Sequence, residues 1–162
     1  MKHKYARINH EVEEKDGVRV HRFQSIGTVV TRKMKILVTP TIISSLKKEA
    51  RSFDAIHIHE YRSFQSIFVH HYARKYGVPY VLQAHGSLPR IMAKRRLKWI
   101  YDVLFGYRLL RDASKVVALI QIEAEQYRGI SVPEEKIEVI PNGIDLSEYG
   151  DLPPKGGFQE DV

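Results

Sequence analysis

Short apolar runs rich in β-branched residues alternate along the chain with longer stretches in which apolar residues recur every three or four positions. That alternation predicts repeated βα units around a mostly parallel sheet. Five strands are expected, over Val18 to Phe23, Ala55 to His59, Pro79 to Gln83, Lys115 to Leu119 and Lys136 to Ile140. The clearest helix runs from near Ser63 to Tyr76, with Gly77 as its stop before Val78-Pro79 enters the next strand. Another is expected from about Met34 to Arg51, broken or restarted at Thr39-Pro40.

A long helical stretch from Pro89 to Arg111 carries two unlike sides, with Pro89 suited to its first turn. Projected at about 100° per residue, Ala93, Leu97, Ile100, Leu104 and Tyr107 form one stripe with Val103 beside it, as expected for packing on a sheet. The opposite side holds Ile91, Lys94, Lys98, Tyr101, Phe105, Arg108 and Leu109, a basic and apolar mixture like that of a helix lying on a membrane surface. A helix covered on that side by a neighbouring element is the competing account. Arg90, Lys94, Arg95, Arg96 and Lys98 make a basic patch that faces a membrane or an acceptor on one reading and is a plain solvated face on the other. After Asp145 the periodicity ends and Pro and Gly accumulate, so residues 1–149 read as one domain and 150–162 as a linker. No solenoid-period repeat and no low-complexity tract stands out.

Composition narrows the class. A chain of 162 residues, 43% hydrophobic and 28% charged, fits one globular domain with a real core. The absence of cysteine excludes disulfide frameworks, thiolate metal sites and cysteine nucleophiles, which leaves oxygen and imidazole chemistry. No apolar run reaches the length of a membrane span, and Lys2, Lys4 and Arg7 have no apolar stretch behind them to make a signal peptide, so a cytoplasmic location is expected. The net charge of +7 hides an asymmetry: residues 1–111 hold 22 Lys+Arg against 8 Asp+Glu, whereas residues 112–162 hold 4 against 11. A basic portion of that size favours anionic partners, whether nucleic acid, lipid headgroups or phosphorylated small molecules.

The candidate chemistry gathers at strand ends. In Asp54-Ala-Ile-His-Ile-His-Glu60 the period of two puts His57 and His59 on one face and Ile56 and Ile58 on the other. A third metal ligand would have to come from Glu60, His70, His71 or His85 by folding; strand histidines near a carboxyl end are the plainer account. The next strand ends Val81-Leu-Gln-Ala-His-Gly-Ser87, where a parallel strand turns toward a helix and where open α/β sheets bind ligands. Gly86 permits close backbone approach, and the N–H groups with the Ser87 hydroxyl can meet an anion or sugar hydroxyls. An ordinary βα turn with a locally packed His85 weighs equally. Gln121 and Glu123 stand at another strand-to-helix junction, where a carboxylate is often only a dipole partner. Asn142-Gly143 reads as a tight turn with positive φ, and turn chemistry explains it without any ligand. Neither a G-x-G-x-x-G, a Walker A loop nor a G-x-S-x-G elbow is present.

Taken in order, Gly17 to Phe23, Phe53 to His59, Val78 to Ser87, Asp112 to Leu119 with Glu123, and Ile137 to Asp145 resemble the amino-terminal lobe of family-four retaining glycosyltransferases of the GT-B fold. Leu152-Pro-Pro-Lys-Gly-Gly-Phe158 is similar to that family's passage into its second lobe. The resemblance implies an α/β, Rossmann-like, incomplete GT-B lobe that takes part in moving a sugar from a nucleotide-sugar donor to an acceptor glycan or lipid, lipid phosphate included. It implies retention at the anomeric carbon, no metal and no other cofactor, with the donor as substrate. His85 would stand near the transferring sugar as the catalytic candidate, with Gly86, Ser87, Glu123, Asn142 and Gly143 lining the donor cleft. The opening strand, Gly-rich loop and helix of the family are not found, nor is the donor-binding carboxy-terminal lobe, so an internal fragment, inactive alone, is expected. Loss of a central first strand would leave the Ala55 strand as an edge and Val18 to Phe23 without its parallel partner, so abnormal pairing of the first 30 residues is expected. The alternative is a non-catalytic basic module that docks on anionic membranes, at the inner membrane face, or binds anionic ligands. Nucleic acid is disfavoured because no reader motif accompanies the charge.

Overall fold

The computed structural model describes residues 11–25, 38–89 and 94–145. Strands β1 (Glu11–Lys15) and β2 (Val18–Arg22) form a hairpin, followed by helix α1 (Thr41–Glu49). Then come β3 (Ile56–His59), α2 (Phe64–Tyr76) and β4 (Tyr80–Gln83). A composite helix follows: α3 (Arg95–Tyr101), a π-helical segment Asp102–Gly106, and α4 (Tyr107–Asp112). The described chain closes with β5 (Lys115–Ala118), α5 (Gln121–Arg128) and β6 (Ile137–Val139).

β3, β4, β5 and β6 form a parallel sheet in that order, so all four carboxyl ends lie on one edge. The predicted strand at Val18 to Phe23 is not part of it. β2 pairs antiparallel with β1 in its own two-stranded sheet, and among the described residues β3 is an edge strand of the parallel sheet, as β6 is at the other side. The cause is local: Asp16 at φ 54 and Gly17 at φ 76 make the two-residue turn between the paired Lys15 and Val18. Asp-Gly between alternating strands favours this reversal because its backbone twist matches theirs.

The helices follow their caps. Ser63 caps α2 by accepting the Ser66 N–H at 3.1 Å, and Gly77 ends it in the left-handed region at φ 69. α1 starts after Pro40, so the expected restart is where the helix begins; the Met34 to Leu37 part of that expectation lies outside the described residues. The core joins Ile58, Tyr80, Leu82, Val116 and Ala118 of the sheet to Ala73 of α2, Leu109 and Leu110 of α4, and Ala124 and Tyr127 of α5. Burial of a side chain such as Leu82 contributes about 1.5–3 kcal/mol.

The composite helix reverses the predicted orientation. Leu97, Ile100, Val103, Leu104 and Tyr107, expected on the sheet, are exposed, while Asp102, Gly106, Leu109 and Leu110 face inward and Tyr101 is half-buried. Polar pairing and close packing fix this phase. Asp102 is buried against Arg62, at 2.8 Å from Nε, and a Cβ on Gly106 would overlap the Tyr61 hydroxyl. Tyr101 Oη donates to the carbonyls of Tyr61 at 3.0 Å and Ser63 at 3.2 Å. At the far end, Asp112 joins α4 to α2 through His70 at 3.0 Å and Arg74 at 3.3 Å.

Candidate functional site at the carboxyl edge of the sheet

β4 delivers Ala84-His85-Gly86-Ser87 to the edge in a tightly specified turn. His85 has φ 50 and Gly86 φ 71, both left-handed; for the histidine this conformation costs about 1–2 kcal/mol. Buried neighbours hold it. Glu123, 4% exposed in the first turn of α5, accepts the Gly86 N–H at 2.7 Å with Oε1 and the Leu119 N–H at 2.8 Å with Oε2. Tyr127 Oη accepts the Ala84 N–H at 3.1 Å and donates to the Val117 carbonyl at 3.2 Å, which links the ends of β4 and β5. The Ser87 N–H and hydroxyl both donate to the Ala84 carbonyl, at 3.1 and 2.5 Å.

Beside this turn, β3 presents His57 and His59 outward and buries Ile58, as the period of two predicts. His59 Nδ1 lies 2.7 Å from His85 Nε2, with the rings stacked at 5.0 Å; His57 and His59 ring centroids are 4.1 Å apart. Partial burial, then the charges of His59 and His85, lower the His57 pKa below its ordinary value. Among the described residues no group of three His, Asp or Glu side chains is arranged to hold a metal ion.

Arg62, which sequence reasoning passed over, ties the turn to the composite helix. It makes a two-pronged pair with Asp102 at 2.8 Å on each oxygen, donates to the Leu88 carbonyl at 2.8 Å, and also bonds the Ser87 carbonyl. The only signal was an acidic residue, Asp102, inside an otherwise apolar and basic helix. A cavity of about 880 Å³ opens next to this pair, lined among others by Arg95, Arg96, Trp99 and Gln126.

The structure therefore brings together His85, Gly86, Ser87 and Glu123, with Glu123 as the internal brace of the turn. Arg95 and Arg96 of the basic patch join the cavity; Lys94 is exposed at φ 69, Lys98 is half-buried in α3, and Arg90 lies outside the described residues. Asn142 and Gly143 are exposed past β6, two strands from β4, roughly 10 Å across the sheet. Neither has positive φ, contrary to the expected tight turn. Pro141 holds its predecessor extended, and no strand follows among the described residues to demand a reversal.

A parallel α/β lobe with polar groups converging on the carboxyl ends of its strands is the architecture of nucleotide- and sugar-handling Rossmann-like domains. The sequence model described as Glycosyltransferase Family 4 matches residues 5–148, and this chain belongs to that family. Comparison with curated proteins gives no match. Among the described residues no helix is long and apolar enough to cross a membrane.

Proposed function

We propose that residues 1–149 form the acceptor-side lobe of a retaining glycosyltransferase, with 150–162 leading to a donor-binding lobe. On this reading a sugar passes from a nucleotide-sugar donor to a glycan or lipid-phosphate acceptor, without a metal or other cofactor. The observation that carries it is the braced His85–Gly86–Ser87 turn at the carboxyl edge, where the backbone is fixed and the His85 ring is exposed to solvent. His85 meets the transferring sugar, Gly86 admits the donor to the backbone, and Ser87, Asn142 and Gly143 border the same cleft. Such a turn stabilises developing charge by being preorganised, since its groups need not move as the glycosidic bond breaks. Catalysis is shared with the second lobe, so the isolated chain binds and turns over little. Amide NMR of the chain, titrated with acceptor glycans and phosphorylated headgroups, should move His85, Gly86 and Ser87. A folded chain in which no member of the panel moves them would refute the reading, and brisk transfer by the chain alone would refute the division of labour.

A second reading, compatible with the first, is docking on anionic membranes. Trp99 at 53% exposure and Leu104 at 53% share the composite helix with exposed Arg95, Arg96 and Arg108. Apolar side chains beside basic ones suit the headgroup boundary. Sedimentation with phosphatidylserine vesicles should fall when Trp99 and Leu104 become serine and when salt rises; binding that ignores both changes would refute it.

A further inference from the structure

The braced turn fixes the backbone of His85 but not its ring. Among the described residues, the ring's one hydrogen bond is to His59, at 2.7 Å from Nδ1 to Nε2, reinforced by stacking at an interplanar angle of 19°. We propose that His59 is a positioning residue for His85: it commits Nε2 and leaves Nδ1 as the ring nitrogen that meets the ligand. This rests on the reading above, in which His85 faces the transferring sugar.

The chemistry of the pair follows from its geometry. A bond between two imidazole nitrogens contains one proton, so one ring donates and the other accepts. The pair keeps that bond when both rings are neutral and when they share one extra proton. It loses the bond when both are cationic, because two N–H groups then face each other. At 2.7 Å the two nitrogens stand at hydrogen-bond distance, closer than the roughly 3.3 Å that separates two nitrogens on one tetrahedral zinc. His57 lies tilted against His59 from β3, with ring centroids 4.1 Å apart; Glu123, from α5, has both oxygens engaged by backbone N–H groups; β4 contributes the neutral Gln83; Glu60 follows His59 in the loop after β3. Among the described residues His59 is therefore the side chain that decides which His85 ring nitrogen is committed.

Ring-nitrogen NMR of the 15N-labelled full chain tests this, in the native protein and in His59→Phe and His59→Gln. The spectra are compared at one pH above the ordinary imidazole range. In the native chain we expect one dominant His85 tautomer. In His59→Phe, which cannot hydrogen-bond Nε2, that preference is lost, whereas His59→Gln, whose amide can bond Nε2, keeps Nε2 hydrogen-bonded. An identical His85 tautomer in the native and His59→Phe chains overturns the proposal. Should the phenylalanine variant fail to fold, a native chain in which His85 shows no dominant tautomer overturns it equally. No sugar enters these measurements: a His59-dependent tautomer in a chain that binds no acceptor sinks the transfer reading alone, and a His59-independent one in a chain that binds acceptor sinks the positioning role alone.

Discussion

Replacing Glu123 with glutamine removes one oxygen from a buried brace while preserving its size. The carboxylate accepts two backbone N–H groups, from Gly86 at 2.7 Å and Leu119 at 2.8 Å, and the side chain is almost wholly enclosed. The amide has a single carbonyl oxygen, so one N–H keeps a partner and the other faces an NH2 group. A hydrogen bond to a charged group is worth about 1.5–3 kcal/mol, and leaving a buried donor unsatisfied costs about 1–3 kcal/mol, two descriptions of overlapping losses. The expected destabilisation is therefore about 2–4 kcal/mol, against the 5–15 kcal/mol typical of whole domains. It should lower Tm by roughly 5–15 °C for a chain of this size. Urea titration followed by far-UV circular dichroism reads the stability, and hydrogen exchange at the Gly86 amide reads the turn itself. Stability within about 0.5 kcal/mol of the native chain, the range of ordinary surface substitutions, together with unchanged Gly86 protection, would refute the brace.

The other predictions concern the supports and the charge of the same edge. Asp102→Asn strands the Arg62 guanidinium, whose side chain is 11% exposed, and should cost about 3 kcal/mol in urea titration, since it breaks a buried pair. Gly106→Ala places a Cβ 2.8 Å from Tyr61 Cζ, an overpacking expected to cost about 1–3 kcal/mol by the same titration, whereas alanine at the exposed Gly129 should be tolerated. Acid should weaken the fold in two windows. His57 has a lowered pKa, so its contribution is full above its unfolded value near about 6.5 and fades as pH falls below it. At Asp112 burial raises the pKa but is outweighed by the His70 and Arg111 hydrogen bonds and the Arg111 and Arg74 charges, and its contribution disappears below about pH 4. The urea midpoint measured against pH should show both, and His57→Gln should flatten only the upper one.

The sheet was legible because the central strands β4 and β5 are mostly buried and read as apolar runs while β3 alternates histidine with isoleucine, and four of the five predicted runs are its strands. Phe53 to His59 and Val78 to Ser87 also disclosed where the edge chemistry sits. The fifth run was misplaced because apolar alternation cannot say which strand is the partner; Asp16-Gly17 could, since it is a hairpin signal four residues upstream of Val20. The composite helix failed for a different reason. Periodicity assumes that the most apolar stripe is the buried one, but here the inward side is set by Asp102, Gly106, Leu109 and Leu110, at i, i+4, i+7 and i+8. A charged residue and a glycine hold the core face because Arg62 neutralises the one and Tyr61 fills the space left by the other. Such pairings link positions 40 residues apart in sequence and leave no periodic trace.

Where the backbone departs from ordinary geometry also bears on mechanism. Glu60 at φ 80 and His85 at φ 50 end adjacent parallel strands in the left-handed region, at about 1–2 kcal/mol each. Conformations of that cost persist only where the surroundings over-determine them. Around His85 they do: the Glu123 carboxylate, the Tyr127 hydroxyl and the Ser87 side chain bond Gly86 and Ala84 on either side of it, and the Arg62 guanidinium bonds the Ser87 and Leu88 carbonyls just beyond. Glu60 has its N–H bonded to the Gln83 carbonyl at 3.0 Å, which continues the β3–β4 ladder past the end of the strands. The supports are buried or half-buried, whereas the groups they present, His59, His85 and the Gly86 backbone, are exposed. Flexibility at this edge is thereby confined to imidazole rings and their protons, and a ligand arriving there meets a backbone already in place. Binding should for that reason shift the ring nitrogens of His59 and His85 more than the amide of Ala84, an ordering opposite to the one a closing loop would give.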